Sequence, residues 1–304
     1  MTAPCQAPRM LIGLPAPAKL NLFLHVVGRR ADGKHLLQSI FILIDLADEL
    51  DFRLREDGAI IRAGDLECEV ESDLCVRAAK ALREAAGIPQ AGAEICVSKR
   101  IPAGAGMGGG SSDAATTLIA LNRLWNLDLP KKELARIGEA LGADIPFFIY
   151  GENAFVEGIG EIITPIEVPS AQYTVIWPGR GVSTAKIFSS PSLTRDSESL
   201  KIATFSDFLR NRWPELPGHN DLQNTAAGLE PAILQALDAL APFGEARMTG
   251  SGSAVFALNR INSAGLASLA ERLPDDWRFF SVRSLPEHPL CAWTRSAEEE
   301  NRGV

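Results

Sequence analysis

Pro102-Ala-Gly-Ala-Gly-Met-Gly-Gly-Gly-Ser-Ser112 joins a predicted strand, Ala93 to Ser98, to a helical run that reaches Trp125. Gly104, Gly106, Gly108, Gly109 and Gly110 strip one surface of side chains, so a bulky anion meets backbone N–H groups directly. A helix beginning near Ser112 adds the positive end of its dipole. Ser111 and Ser112 are placed to cap that helix and to offer hydroxyls to phosphate oxygens or to a magnesium ion. A flexible glycine linker is the competing reading, but linkers rarely sit between a strand and a well-formed helix. Gly104, Gly106 and Gly109 also satisfy G-x-G-x-x-G, with Asp128 near the place of a ribose-binding acid. That dinucleotide reading needs a parallel strand after the helix. Trp125-Asn-Leu-Asp-Leu-Pro130 leads instead into a second helical run, Lys131 to Leu141.

Upstream, Ala18 to Val27 alternates like a strand. Ala18, Leu20, Leu22 and Leu24 share one face, and Lys19, Asn21, Phe23 and His25 share the other. Lys19 and Asn21 then stand about 7 Å apart, close enough to bracket one substrate group. The competing reading is a solvent-facing pair on an edge strand. Two more β-like runs follow, His35 to Leu46 and Leu50 to Arg55. Between them and the first strand, Gly28-Arg-Arg-Ala-Asp-Gly-Lys34 copies the spacing of a Walker A loop. His35 stands where that loop needs Ser or Thr, and a strand follows where it needs a helix. The segment therefore reads as a turn whose basic residues are free to line a cleft. Leu74 to Ala86 reads as a helix with Asp73 as N-cap, stopped by Gly87 and Pro89.

Asp144 lies in Gly142-Ala-Asp-Ile-Pro-Phe-Phe148. Gly142 ends one helix and Pro146 favours extended geometry at Ile145, so the carboxylate is expected on a short, stiff turn among apolar neighbours. A partly desolvated carboxylate suits a general base; a turn-stabilising aspartate is the alternative. Ala154 to Val168 gives one or two strands. The chain changes unit around Pro165 to Pro178, with a strand at Tyr173 to Trp177 and an exposed connection over Ser189 to Ser206. Helices are predicted at 226–240 and 263–272, and strands at 245–249, 253–258 and 277–282. Met248-Thr-Gly-Ser-Gly-Ser253 is either a hairpin turn or a loop that closes over a ligand. Consecutive strands interrupt the helices irregularly, which favours α+β over a doubly wound parallel sheet.

Composition narrows the classes of function. The 304 residues carry 30 Lys and Arg against 38 Asp and Glu, a net charge of −8, which disfavours nucleic acid and anionic membranes as partners. The five cysteines are scattered without metal-ligand spacing and fit a reduced, cytoplasmic setting. No apolar run exceeds five residues, Ile40 to Ile44 being one such run. Residues 1–9 read as a ragged leader and Ser296 to Val304 as a frayed end. Met10-Leu-Ile12 before Ala16-Pro-Ala18 imitates a signal peptide, but it is too short and is broken by Gly13 and Pro15.

Pro17-Ala-Lys-Leu-Asn-Leu-Phe23, the loop Pro102 to Ser112, and Met248 to Ser253 resemble the three signature motifs of GHMP kinases, small-molecule ATP kinases without a Walker A loop. Together with Arg30-Ala-Asp-Gly-Lys-His35 and Gly142-Ala-Asp-Ile-Pro146, the first motif is similar to the branch that phosphorylates a cytidine-diphosphate-linked methylerythritol. Homoserine kinases, mevalonate kinases and galactokinases differ after the first Pro. The resemblance runs from about Pro15 to about Leu285.

The resemblance implies a two-domain α+β fold: an S5-like, ATP-binding domain over 1–168 and a ferredoxin-like domain over 169–304, with the site between them. It implies transfer of the ATP γ-phosphoryl group to a tertiary 2-hydroxyl, a step of the non-mevalonate isoprenoid pathway. Asp144 would take the hydroxyl proton, and Lys19 would pair with it. Asn21, His35, Thr184 and Phe188 would hold the substrate. The loop Pro102, Ala103, Gly104, Ala105, Gly106, Met107, Gly108, Gly109, Gly110, Ser111 and Ser112 would cradle the triphosphate. Ser111 or Ser112 would help Mg2+, and Asp73, Leu74 and Lys99 would lie near adenine. Lys34 stands where the family carries an aromatic residue against the cytosine, and Asp73 where it carries Asn. Two other readings stay open: a kinase of the same fold for another small alcohol, and a dinucleotide-binding protein.

Overall fold

The computed structural model describes residues 9–66, 68–259 and 263–294. The leader up to Pro8, Cys5 and the polar end from Arg295 lie outside them. The strand that carries Lys19 and Asn21 is longer than its alternation predicts: β1 spans Met10–Arg29. It turns through Arg30 to Lys34, with Gly33 at φ +86°, into β2 (His35–Arg55). The Walker-like segment is therefore a hairpin turn. The two β-like runs merge into this one strand, and Asp48 in the gap between them has backbone partners. Asp48 accepts from the amides of Arg100 at 2.5 Å and Ile101 at 2.8 Å.

β3 (Ile60–Gly64), which the sequence reading missed, pairs parallel with β4 (Gly92–Ser98), and α1 (Leu74–Ala85) crosses between them. Asp73 is the N-cap of α1, accepting from Cys75 N at 2.7 Å and Val76 N at 3.3 Å. α2 (Gly109–Leu124) starts three residues earlier than expected, with Gly108 at φ +73° as its N-cap and no serine cap. A left-handed turn at Asn126 and Asp128 then leads to α3 (Lys131–Glu139). No parallel strand follows α2, so the dinucleotide reading fails on its own requirement. α4 (Ile145–Tyr150) replaces the extended geometry expected at Ile145. Pro146 lies in its first turn, where a missing N–H costs nothing.

β5 (Ala154–Gly158) and β6 (Ile162–Pro165) form a hairpin, and β7 (Gln172–Trp177) follows. The stretch read as an exposed connection, Ser189 to Ser206, begins on the last residue of α5 (Thr184–Ser189) and ends inside α6 (Ile202–Arg212). α6 escaped notice because its buried stripe is only Phe205 and Leu209. The helix predicted at 226–240 is two helices, α7 (Gln223–Leu229) and α8 (Ala232–Leu240), parted at Glu230-Pro231. β8 (Ala246–Met248), β9 (Val255–Leu258), α9 (Ser263–Arg272) and β10 (Arg278–Leu285) follow in the described residues.

Among the described residues the strands form one sheet in the order β3-β4-β2-β10-β7-β9-β8, with β1 and β5 also paired to β2. Every ladder except β3–β4 is antiparallel, which makes the architecture α+β as expected. α1 to α4 pack on the first part of the sheet, burying Leu82, Leu118, Leu121 and Phe147 with Phe52 and Ile95. A second cluster, with Leu20, Phe23, Tyr173 and Phe256, spans the β1, β7 and β9 region. No described helix is long and apolar enough to cross a membrane.

β1 pairs with a strand on one side only. Its other edge is covered by loops: Lys19 N donates to Met107 O at 3.0 Å and Leu24 N to His219 O at 2.8 Å. An uncovered strand edge is a liability; here its cover is the glycine-rich loop.

Candidate active site

On β1, alternation sends Ala18, Leu20 and Leu22 into the core at 0% exposure. Lys19 and Asn21, on the other face, are not solvent-facing either, at 4% and 1% exposure. An unpaired ammonium in such a place costs several kcal/mol. Lys19 Nζ is compensated by Asn21 Oδ1 at 2.5 Å, Asp144 Oδ2 at 3.8 Å and the Phe41 ring at 4.6 Å. Burial pulls the Lys19 pKa below its ordinary 10.5, and Asp144 opposes that shift. Asn21 donates to Ser39 Oγ at 2.9 Å through its side chain and to Thr249 Oγ1 at 3.0 Å through its backbone.

Asp144 occupies the N-cap position of α4 without a side-chain cap bond, and its side chain is 32% exposed beside a cleft of about 300 Å³. Lys19, Asn21, Asp144, Thr184 and Phe188 line this cleft together with Gly106, Gly108 and Gly250. Residues from opposite ends of the sequence thus face one space.

The glycine loop is pinned through its carbonyls. Met107 O accepts from Lys19 N, Gly104 O from Ser253 N at 3.2 Å, and Ala105 O from Ala254 N at 3.1 Å. The amides of Gly106, Met107 and Gly108 have no acceptor among the described residues. Gly109, Gly110 and Ser111 form the first turn of α2, whose amides have no intrahelical partner. Six consecutive backbone donors, residues 106–111, are thus left without an acceptor among the described residues, which makes the loop a candidate anion cradle. Met248 to Ser253 is the hairpin turn that the sequence allowed. It connects β8 to β9, and it packs on the glycine loop.

Gly106, at φ +75°, is where the loops touch. A Cβ there would lie 2.3 Å from Thr249 O and 2.8 Å from Gly252 N, both backbone atoms. Gly106→Ala is expected to cost about 1–3 kcal/mol of stability and to weaken nucleotide binding, read by thermal melting and calorimetric titration. An alanine variant that melts and binds like the parent would contradict the contact.

The serines separate. Ser112 is fully buried, and its hydroxyl donates to Pro17 O at 2.7 Å, tying α2 to β1. That corrects its expected roles as helix cap and as phosphate or magnesium ligand, because its side chain faces inward. Ser111 is half-exposed and lines the recess formed by Pro102 to Gly110. Leu74 and Lys99 line the same recess, and they join Asp73 in an adjoining one. Asp73 is engaged as the α1 cap and by Arg62 Nε at 3.0 Å. Lys99 is held by Asp48 at 2.6 Å and Asp113 at 2.8 Å.

At the far end of the cleft, Thr184 Oγ1 lies 2.8 Å from Ser251 Oγ. His35 lies outside the lining and stacks on Phe188 with ring centroids 4.8 Å apart. Lys34 is exposed in the hairpin turn. Sequence reading missed Ser39, Phe41 and Thr249. Thr249 lay inside a quoted motif, but nothing in the chain announced that it would meet Asn21 from 228 residues away.

This is the arrangement of a small-molecule phosphotransferase: an anion cradle beside a buried lysine and an accessible carboxylate. Residues 73–152 match GHMP kinases N terminal domain, and residues 200–267 match GHMP kinases C terminal. The chain belongs to the GHMP kinase family. It is 51% identical over 277 residues to the 4-diphosphocytidyl-2-C-methyl-D-erythritol kinase of Thiobacillus denitrificans, covering 91% of this chain and 96% of that one. It is 50% identical over 284 residues to the enzyme of the same name from Azoarcus sp., covering 92% and 96%. A crystal structure of 4-(cytidine 5'-diphospho)-2C-methyl-D-erythritol kinase superposes with a TM-score of 0.76 at 33% identity, covering 90% of this chain and 98% of that one.

Proposed function

We propose that this chain is a 4-diphosphocytidyl-2-C-methyl-D-erythritol kinase, transferring the γ-phosphoryl group of ATP to the tertiary 2-hydroxyl of that substrate. The observation that carries the reading is the convergence of Lys19, Asn21 and Asp144 with the glycine loop on one cleft, in a chain about half identical to enzymes of that name.

A tertiary alcohol is hindered and weakly nucleophilic, and phosphoryl transfer offers little covalent chemistry to assist it. Positioning and electrostatics supply the acceleration. Asp144 accepts the hydroxyl proton as the oxygen attacks. Lys19 holds the carboxylate in place and balances the negative charge that builds on the oxygen. Asn21 fixes the ammonium through its Oδ1. The unpartnered amides of residues 106–111 receive the β- and γ-phosphates, and Leu74 and Lys99 border the adenine side. Mg2+ would supply charge neutralisation on the phosphates, and Ser111, half-exposed in the recess, is the hydroxyl of the pair that would help to hold it. Thr184 and Phe188 border the acceptor. A division into an ATP-binding part over 1–168 and a second part over 169–304 belongs to the same reading.

The test is ATP consumption by the purified protein with the cytidine-linked methylerythritol against other polyols. Turnover that depends on the cytidine-linked alcohol supports the reading. Equal or faster turnover of another alcohol would favour the broader small-alcohol kinase.

A further inference from the structure

The stacked pair of His35 and Phe188 is held by a third residue that no motif includes. Arg195 donates through Nε to His35 Nε2 at 3.1 Å. Its Nη2 donates to the carbonyls of Phe188 at 3.0 Å and Ser190 at 2.6 Å, and its Nη1 to that of Leu193 at 3.0 Å. One side chain thus fixes the backbone that carries Phe188 and the imidazole that lies on it.

A guanidinium has donors only. The imidazole nitrogen that faces it is therefore the unprotonated one, and the proton of neutral His35 sits on Nδ1. Burial, then the nearby Arg195 and Arg29 cations, lower the His35 pKa from its ordinary 6.5, so the ring is neutral at neutral pH. Nδ1 has no hydrogen-bond partner among the described residues, whereas Nε2 has Arg195. An isolated imidazole prefers its proton on Nε2; Arg195 reverses that preference.

We propose that Arg195 is a positioning residue for the nucleobase: it fixes His35 as the Nδ1–H tautomer beside the Phe188 ring, leaving one N–H donor for the acceptor edge of a cytosine. The inference rests on the cytidine reading of the cleft. Cytosine offers unprotonated N3 and O2 on that edge, whereas uracil carries a proton on N3. A donor held at N3 favours the first and opposes the second, and a site built on such a bond discriminates more strongly than apolar contact does.

The experiment pairs nitrogen-15 NMR of the histidine side chains with kinetics. His35 signals are assigned by their loss in His35→Gln. In the parent protein, without substrate, His35 shows the Nδ1–H pattern; in Arg195→Met it moves towards Nε2–H. In that variant KM for the cytidine-linked substrate rises about tenfold, kcat and KM for ATP stay within about twofold, and preference over the uridine-linked analogue falls about tenfold. A purely structural role would lower thermal stability and all kinetic constants together. A His35 proton on Nε2 in the parent overturns the proposal without any variant, even if Arg195→Met does not fold. Retention of the parent tautomer and KM in Arg195→Met also overturns it. The tautomer is read without substrate, so failure of the cytidine reading appears separately, as absent turnover of that substrate by the parent.

Discussion

Asp144→Asn is expected to lower kcat about a thousandfold while the protein keeps its melting temperature and its affinity for ATP. General-base catalysis contributes about 10²- to 10⁴-fold, and a hindered tertiary alcohol places the demand at the upper part of that range. The amide is isosteric and keeps an oxygen facing Lys19, 3.8 Å away in the parent, so the geometry survives and the proton acceptor is lost. The Asp144 side chain is 32% exposed at the N-cap of α4 and makes no cap hydrogen bond, so the helix does not depend on its charge. Single-turnover transfer, nucleotide titration and thermal melting separate the outcomes. Undiminished transfer would remove the general-base role. Loss of folding would make Asp144 the turn-stabilising residue that its sequence context also allowed.

Lys19→Met is expected to lower kcat about 10²- to 10³-fold, the scale for removing one preorganised charge from a developing oxyanion. The methionine keeps the stem against Phe41. Asn21 Oδ1 retains Thr249 Oγ1 at 3.2 Å, so no buried acceptor is orphaned. Stability is therefore expected to hold, and its pH dependence has a definite sign. Because the folded Lys19 pKa is below 10.5, the unfolded chain binds more protons in the window between those two values. The parent gains stability from this group as pH rises through that window. Below it the charged, buried lysine is a cost, and Lys19→Met removes both the cost and the slope. By the same shift, the alkaline limb of kcat/KM for the parent falls below pH 10.5, provided Lys19 works as the ammonium. A variant that melts far earlier but turns over normally once folded would make Lys19 a structural residue.

The glycine loop was legible in the chain because its message is local. Five bare positions between a strand and a helix define a backbone surface whatever the rest of the fold does. The Asp73 cap and the Gly87 stop of α1 were legible for the same reason, and so was the hairpin turn at Gly33. Where local and tertiary forces competed, the reading went astray. Ser112 looked like a cap until Pro17, 95 residues away, proved to hold its hydroxyl. The polar stretch around Asp48 looked like a gap until the amides of Arg100 and Ile101 met its carboxylate. Pro146 pointed to extended geometry at Ile145 but sits in the first turn of α4, where a helix tolerates proline. Lys19 and Asn21 looked solvent-facing by alternation alone, because a strand pattern shows two faces and cannot show that a loop will cover the second. Arg195 had no signal at all; its partners are backbone carbonyls and a histidine 160 residues away.

The proposed transfer requires the backbone amides of the glycine loop to hold the phosphate chain so that Asp144 faces the attacking hydroxyl. A crystal structure with a non-hydrolysable ATP analogue and the cytidine-linked alcohol tests it directly. The terminal phosphate is expected on the amides of residues 106–111, with the acceptor oxygen about 2.6–3.2 Å from an Asp144 carboxylate oxygen. A terminal phosphate seated away from that loop, or a carboxylate out of hydrogen-bond reach of the acceptor oxygen, would contradict it.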